Sequence, residues 1–312
     1  MTEKNKRPYE FNIGLCLQFG TPFRDAMVLG RELGARFGWV DLDFALSEVG
    51  KGGLDAIGEL SQEHGIELFL LGNDVFSRLY LSEIDPDHPL DHPGLNRDLN
   101  RLTDAIRAAS YLGIDAVLAH SFLWPGNWSA WPMRWLTRGG VIAEIDWQKL
   151  VIIFALVLEH AEKYDVDLVI GNLPWNYAAS TVNFRTLAER LDSKRVKFMW
   201  GPADNLTIGE FDAATAGFQH IRPYLHSLHL KDLRIRHIDA DRINRQTKNI
   251  DYCPLGEGHV DFAAILHKLR DTESEAILAV YTHFEVENGT PQDAMRIQFE
   301  KLRALIAGID GH

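Results

Sequence analysis

The chain has 312 residues, 46% hydrophobic and 24% charged, with a formal net charge of −12 at pH 7. That acidic balance argues against a nucleic-acid backbone as the main partner, because phosphate binding needs a basic surface. Two cysteines, Cys16 and Cys253, match neither a zinc spacing nor a disulfide framework, and the longest apolar run, Leu150 to Leu158, is far short of the ~20 residues that span a bilayer.

The opening "MTEKNKRPYE" (1–10) is polar throughout. It predicts a flexible N-terminus without a secretory signal, and a cytoplasmic protein. Short apolar runs then alternate with longer amphipathic ones. The strand-like runs are "FNIGLCLQF" (11–19), "FGWVDLDF" (37–44), "IELFLLG" (66–72) and "DAVLAHS" (115–121). Four more follow: "DLVIGNL" (167–173), "VKFMWGP" (196–202), "LHSLHLKD" (225–232) and "AILAVYTH" (276–283). Several are nearly continuous in Val, Ile, Leu and Phe, as strands covered on both faces should be.

Between them, "DAMVLGRELGARF", "LNRLTDAIRAASYLG" and "WQKLVIIFALVLEHAEKY" repeat apolar residues at helical spacing. Gly65 and Gly113 precede strands, where helix C-caps are expected. No linker divides the chain. Eight strand–helix units therefore predict one α/β domain over 1–312, a single (β/α)8 TIM barrel. An open doubly wound sheet is the alternative, but the first strand-to-helix turn, "QFGTPFRDA", lacks G-x-G-x-x-G.

In a (β/α)8 barrel the site lies at the C-terminal ends of the strands. That rule gathers Gln18, Asp41, Asp43, Asn73, His120, Asn172, Asp204, His229, Lys231, Asp232, Tyr281 and His283 around one mouth. Asp41 is a further acid/base candidate. The segment "NDVFSRLYLSEIDPDHPLDHP" (73–93) reads as loop, with His88 and His92 at the surface.

Four motifs in order, "GNLPWN" (171–176), "GPADNL" (201–206), "HLKD" (229–232) and "LGEGHVDF" (255–262), resemble the xylose-isomerase-like TIM barrels. That family contains sugar isomerases, epimerases and endonuclease IV. The resemblance implies one divalent metal held by a glutamate ending strand five, an aspartate ending strand six, a histidine ending strand seven and a glutamate ending strand eight. Here Gly171, Gly201 and Tyr281 stand at three of those positions, and only His229 matches. No metal is expected in the usual position, and no cofactor is expected. The alternative is a relocated Zn²⁺ or Mn²⁺ held among His120, Asp204, His229, Glu257 and His283.

The loop after strand four packs Trp124, Trp128, Trp131 and Trp135 into one stretch. Flat aromatic faces suit stacking on sugar rings or a contact in a homo-oligomer. The loop "LRIRHIDADRINRQTKNIDY" (233–252) is locally basic, and its Arg234 and Arg236 suit an anionic substrate.

The expected protein is a sugar or sugar-acid isomerase or epimerase that works by proton transfer at the barrel mouth. His229, Lys231, His120 and His283 are the catalytic candidates. Trp124, Trp128, Asn172, Trp175, Asp204, Arg234, Glu257 and Tyr281 are the substrate-binding candidates. His229 is the group expected to exchange a proton near neutral pH, with Lys231 and Asp232 supporting it. The alternatives are a lyase on a sugar-derived substrate and a non-catalytic barrel that binds carbohydrate or serves as a partner subunit. The expected partner is a small carbohydrate or sugar acid, not nucleic acid or membrane.

Overall fold

The computed structural model describes residues 9–124, 140–235 and 250–310. Each of the eight apolar runs forms a barrel strand: β1 Asn12–Cys16, β2 Phe37–Asp41, β3 Glu67–Gly72, β4 Ala116–Ala119, β5 Asp167–Gly171, β6 Val196–Trp200, β7 Leu225–Leu230 and, last in the chain, β10 Ile277–Val280. All neighbours are parallel, and β10 closes the barrel between β7 and β1, with Asn12 opposite Ile277 and Ser227 opposite Ile277 on the other side.

Two apolar layers hold this sheet. The larger one lies between the strands and the surrounding helices, among them Phe23–Glu32, Pro93–Leu112 and Glu144–Tyr164. The smaller one fills the barrel lumen with Phe37, Phe69, Leu70, Ala116, Leu118, Val169, Met199 and Ala279. Side chains alternate along a strand, so each lumen residue has a partner two positions on that faces the same way. Leu118 leads to His120, Val169 to Gly171, Met199 to Gly201, and Ala279 to Tyr281 and His283. The polar mouth is the next tier of the same lumen-facing series.

The helix ends follow the sequence signals. Gly65 and Gly113 take left-handed φ values of 64° and 70° as C-caps. Asp41 accepts a hydrogen bond from Phe44 N at 3.1 Å and so serves as the N-cap of Leu42–Val49. His92 likewise caps Pro93–Leu112 through Leu95 N.

One expectation fails. The stretch 233–252 is bounded by two strands rather than being loop throughout: β8 Asp232–Ile235 pairs antiparallel with β9 Ile250–Cys253. Strands of four residues beside a charged stretch give too short a period to read. Among the described residues no helix is long and apolar enough to cross a membrane.

Candidate active site

A cavity of about 270 Å³ opens at the C-terminal end of the barrel. Its floor is Leu118 and Met199 from the lumen layer, and its walls include Trp39, Trp175, Tyr252 and Tyr281. His120, Gly171, Gly201, Asp204, His229, Lys231 and His283 meet there. Strand alternation thus brings residues more than 150 positions apart to one place.

The charged centre is a pair. Lys231 Nζ lies 3.0 Å from Asp204 Oδ2, and the two side chains are 5% and 4% exposed. Burial alone would lower the Lys231 pKa, but the Asp204 carboxylate, with Tyr252 nearby, turns the shift upward. Burial pushes the Asp204 carboxyl toward its neutral form, against the pull of Lys231. The proton nevertheless stays on nitrogen, because an ordinary amine holds it near pH ~10.4 and an ordinary carboxyl only near ~3.9. The contact is a buried ion pair.

Gly201 makes room for that carboxylate. A Cβ built on Gly201 would meet Asp204 Oδ2 at 2.5 Å. Asp204 sits in the first turn of the short helix Pro202–Thr207 and reaches back over the end of β6. A carboxylate is therefore present near strand six, displaced three residues along the chain from the position the resemblance implies.

His229 stands between Trp39, edge-on with ring centroids 5.8 Å apart, and Tyr281, at 4.8 Å. The ring series continues from Tyr281 to His283 at 4.6 Å and from His283 to Tyr252 at 4.7 Å. Burial, then the Lys231, His283 and His120 charges, hold the His229 pKa well below its ordinary value. Burial also lowers His120 to about 4, partly offset by Gly171 O. Near neutral pH His229 is thus a neutral imidazole, able to accept a proton rather than donate one as imidazolium. Its Nε2 is buried and has no hydrogen-bond partner, and the same holds for Trp39 Nε1.

Other predicted residues hold the scaffold. Asn172 lines the cavity, but its Oδ1 accepts from Gly201 N at 2.6 Å and its Nδ2 donates to Gly201 O at 3.0 Å. It ties β5 to β6, and its amide is not free for substrate. Beneath it, Asn205 accepts from Trp200 Nε1 at 2.7 Å and donates to Glu210 at 2.6 Å. Asp232 does not support His229. It faces the other way and accepts from the backbone N–H groups of Leu233, Gly256, Gly258 and Val260. That clamp secures the ribbon whose β9 carries Ile250 and Tyr252 to the cavity wall.

Arg234 and Glu257 are not among the lining residues. Arg234 pairs with Glu257 at 3.1 Å, and Glu257 also pairs with Lys301 at 2.7 Å, at the surface. Trp124 packs on Tyr177, with ring centroids 4.7 Å apart, and is also absent from the lining. Trp128 and Arg236 lie outside the described residues. Trp175 lines the cavity. Sequence reasoning missed Trp39 and Tyr252. Trp39 was legible as the lumen partner of Phe37, two residues before it; Tyr252 was hidden by the unread ribbon.

The residues present do not fit the divalent metal that the resemblance implies. Two glycines and a tyrosine supply no carboxylate, and an ammonium is already paired with the one carboxylate of the described lining. Glu257 is turned away, so the relocated five-residue set is not assembled. Among the described residues no group of three or more His, Cys, Asp or Glu is placed to hold a metal ion.

Known structures share the architecture. The chain is similar to a xylose isomerase-like TIM barrel/4-hydroxyphenylpyruvate dioxygenase fusion protein at 15% identity and TM-score 0.70, spanning 96% of this chain but 43% of that longer one. It is similar to the IOLI protein with a bound zinc atom at 15% identity and TM-score 0.72, over 96% of this chain and 99% of that one. A D-psicose 3-epimerase from Clostridium cellulolyticum H10 matches at 16% identity and TM-score 0.65, over 96% and 98% of the two chains. These identities speak for the fold alone. No curated protein matches the chain. A family model described as xylose isomerase-like TIM barrel matches residues 29–305. With that match over most of its length and its closed eight-stranded barrel, the chain belongs to the xylose isomerase-like TIM-barrel family.

Proposed function

We propose that this protein is an isomerase- or epimerase-like enzyme that moves a proton next to a carbonyl of a sugar or sugar-derived substrate, without a divalent metal. The observation that carries the reading is His229: a neutral imidazole with a buried, unpartnered Nε2, set in an aromatic-walled cavity beside the Lys231 ammonium. Aromatic walls suit the C–H faces of a sugar ring. A neutral imidazole is a competent acceptor for a carbon-bound proton, and the Lys231 ammonium, held by Asp204, can donate a hydrogen bond to the carbonyl oxygen while the negative charge developing there is balanced by the imidazolium that forms. In the step, His229 takes the proton and the C–H electrons move onto the carbonyl oxygen near Lys231. Return of the proton by His229 to the neighbouring carbon, on the same face and after proton movement between the oxygens, gives an isomer; an epimer needs a second group to deliver a proton to the opposite face. The epimerase named among the structural neighbours is compatible with this chemistry.

The test is exchange of substrate C–H for deuterium in D2O, followed by NMR over a panel of ketoses and aldoses with chelator present. Exchange that survives chelation supports the reading. Ligand binding without exchange in any sugar would replace it with the carbohydrate-binding alternative, and loss of water from a substrate would replace it with the lyase.

A further inference from the structure

Among the described residues that line the cavity, Lys231 is the one cation and Asp204 the one carboxylate, and they face each other at 3.0 Å. The ammonium is therefore already matched from within the protein. An incoming carboxylate or phosphate would compete with Asp204 for Lys231 and lie close to a like charge in a poorly solvated place, where repulsion is strong.

Two polar atoms of the lining residues are buried without a hydrogen-bond partner: His229 Nε2 and Trp39 Nε1. An indole N–H only donates, and a neutral imidazole nitrogen donates or accepts according to tautomer. Hydroxyl groups both donate and accept, so they suit such a lining without bringing a further charge to the Lys231–Asp204 pair.

We infer that Asp204 sets the charge class of the ligand: by holding Lys231 in an internal pair, it tunes the cavity to an uncharged, hydroxyl-bearing ligand and against the corresponding acid or phosphate. The inference rests on the carbohydrate reading of the same cavity and removes sugar acids from it. Gly201 is part of the device, because a side chain there would push the Asp204 carboxylate aside.

Matched pairs test this by calorimetry and thermal shift: D-galactose with D-galacturonate, D-fructose with D-fructose 6-phosphate, and myo-inositol with its monophosphate. The neutral member of a binding pair should bind at least ten-fold tighter. Asp204→Asn, which frees the Lys231 charge, should reverse the preference by ten-fold or more. Should that variant fold poorly, Asp204→Asn with Lys231→Met removes both charges and should gain no affinity for the anion. Equal or tighter binding of the anionic member by the unmodified protein overturns the inference, and so does an unchanged preference in folded Asp204→Asn. Neutral members that bind without deuterium exchange leave the inference standing and remove the proton-transfer reading. If no member of any pair binds, the carbohydrate reading falls and the inference with it.

Discussion

The carboxylate of Asp204 lies where a side chain at Gly201 would begin, 2.5 Å from the ideal Cβ position. Gly201 has an extended backbone, φ −102°, so the glycine is needed for space and not for conformation. Gly201→Ala should therefore displace Asp204 from Lys231 and destabilise the protein by about 1–3 kcal/mol. Gly171→Ala, whose Cβ would press on His120 and Leu118 at 3.2 Å, should cost less. Urea unfolding of both variants checks the order; equal midpoints would mean that Asp204 moves aside freely.

Lys231→Met should cost more. It leaves Asp204 buried without its cation, and breaking a buried pair from one side typically costs ~3–5 kcal/mol. Adding Asp204→Leu should recover most of that stability while ligand binding stays lost. Recovery of binding in the double variant would show that the pair only holds the fold.

The histidines fix the acid limb of stability. Above pH ~6.5 both the folded and the unfolded chain carry neutral imidazoles. As pH falls from there, the unfolded chain takes up protons that the folded His229 and His120 refuse, so stability declines. For His120 the decline levels off once pH passes below about 4, where the folded ring protonates too. His120→Gln should flatten the slope in that window. Ligand affinity should show no inflection from these rings between pH 6.5 and 8, a range in which a histidine of ordinary pKa would give one.

Asp232→Asn should loosen the ribbon. The carboxylate accepts four backbone N–H groups, and an amide in its place accepts fewer and sets an NH2 against donors. A loss of about 2 kcal/mol or more is expected, together with weaker ligand binding, because Tyr252 and Ile250 belong to the cavity wall. Gly258→Ala should act alike, since its Cβ would overlap Asp232 Oδ1. Unchanged affinity in both variants would separate the ribbon from the site.

Much of this was legible in the sequence. Eight apolar runs gave eight barrel strands, because strands buried on both faces carry a strong, continuous signal. Their C-terminal ends placed His120, His229, Lys231, Tyr281 and His283 correctly at one cavity. What was not legible depends on orientation and on short elements. Arg234 looked suited to an anion, but on β8 it turns outward to Glu257. Asn172 looked available, yet backbone geometry engages its amide with Gly201. Asp204 was legible as a mouth residue, but its pairing with Lys231 was not, because only the fold of Pro202–Thr207 turns its carboxylate back over the strand end.

His229, in the proposed reaction, exchanges a proton with a carbohydrate bound beside Lys231. The most direct measurement is deuterium incorporation into a bound sugar in D2O with chelator present, compared between the unmodified protein and His229→Gln, with melting temperatures taken alongside. The unmodified protein should incorporate deuterium, and a folded His229→Gln variant should lose at least a hundred-fold, on the order of the ~10²–10⁴ that a positioned acid/base group supplies. Equal incorporation by the two proteins, or incorporation that stops when chelator is added, would contradict it.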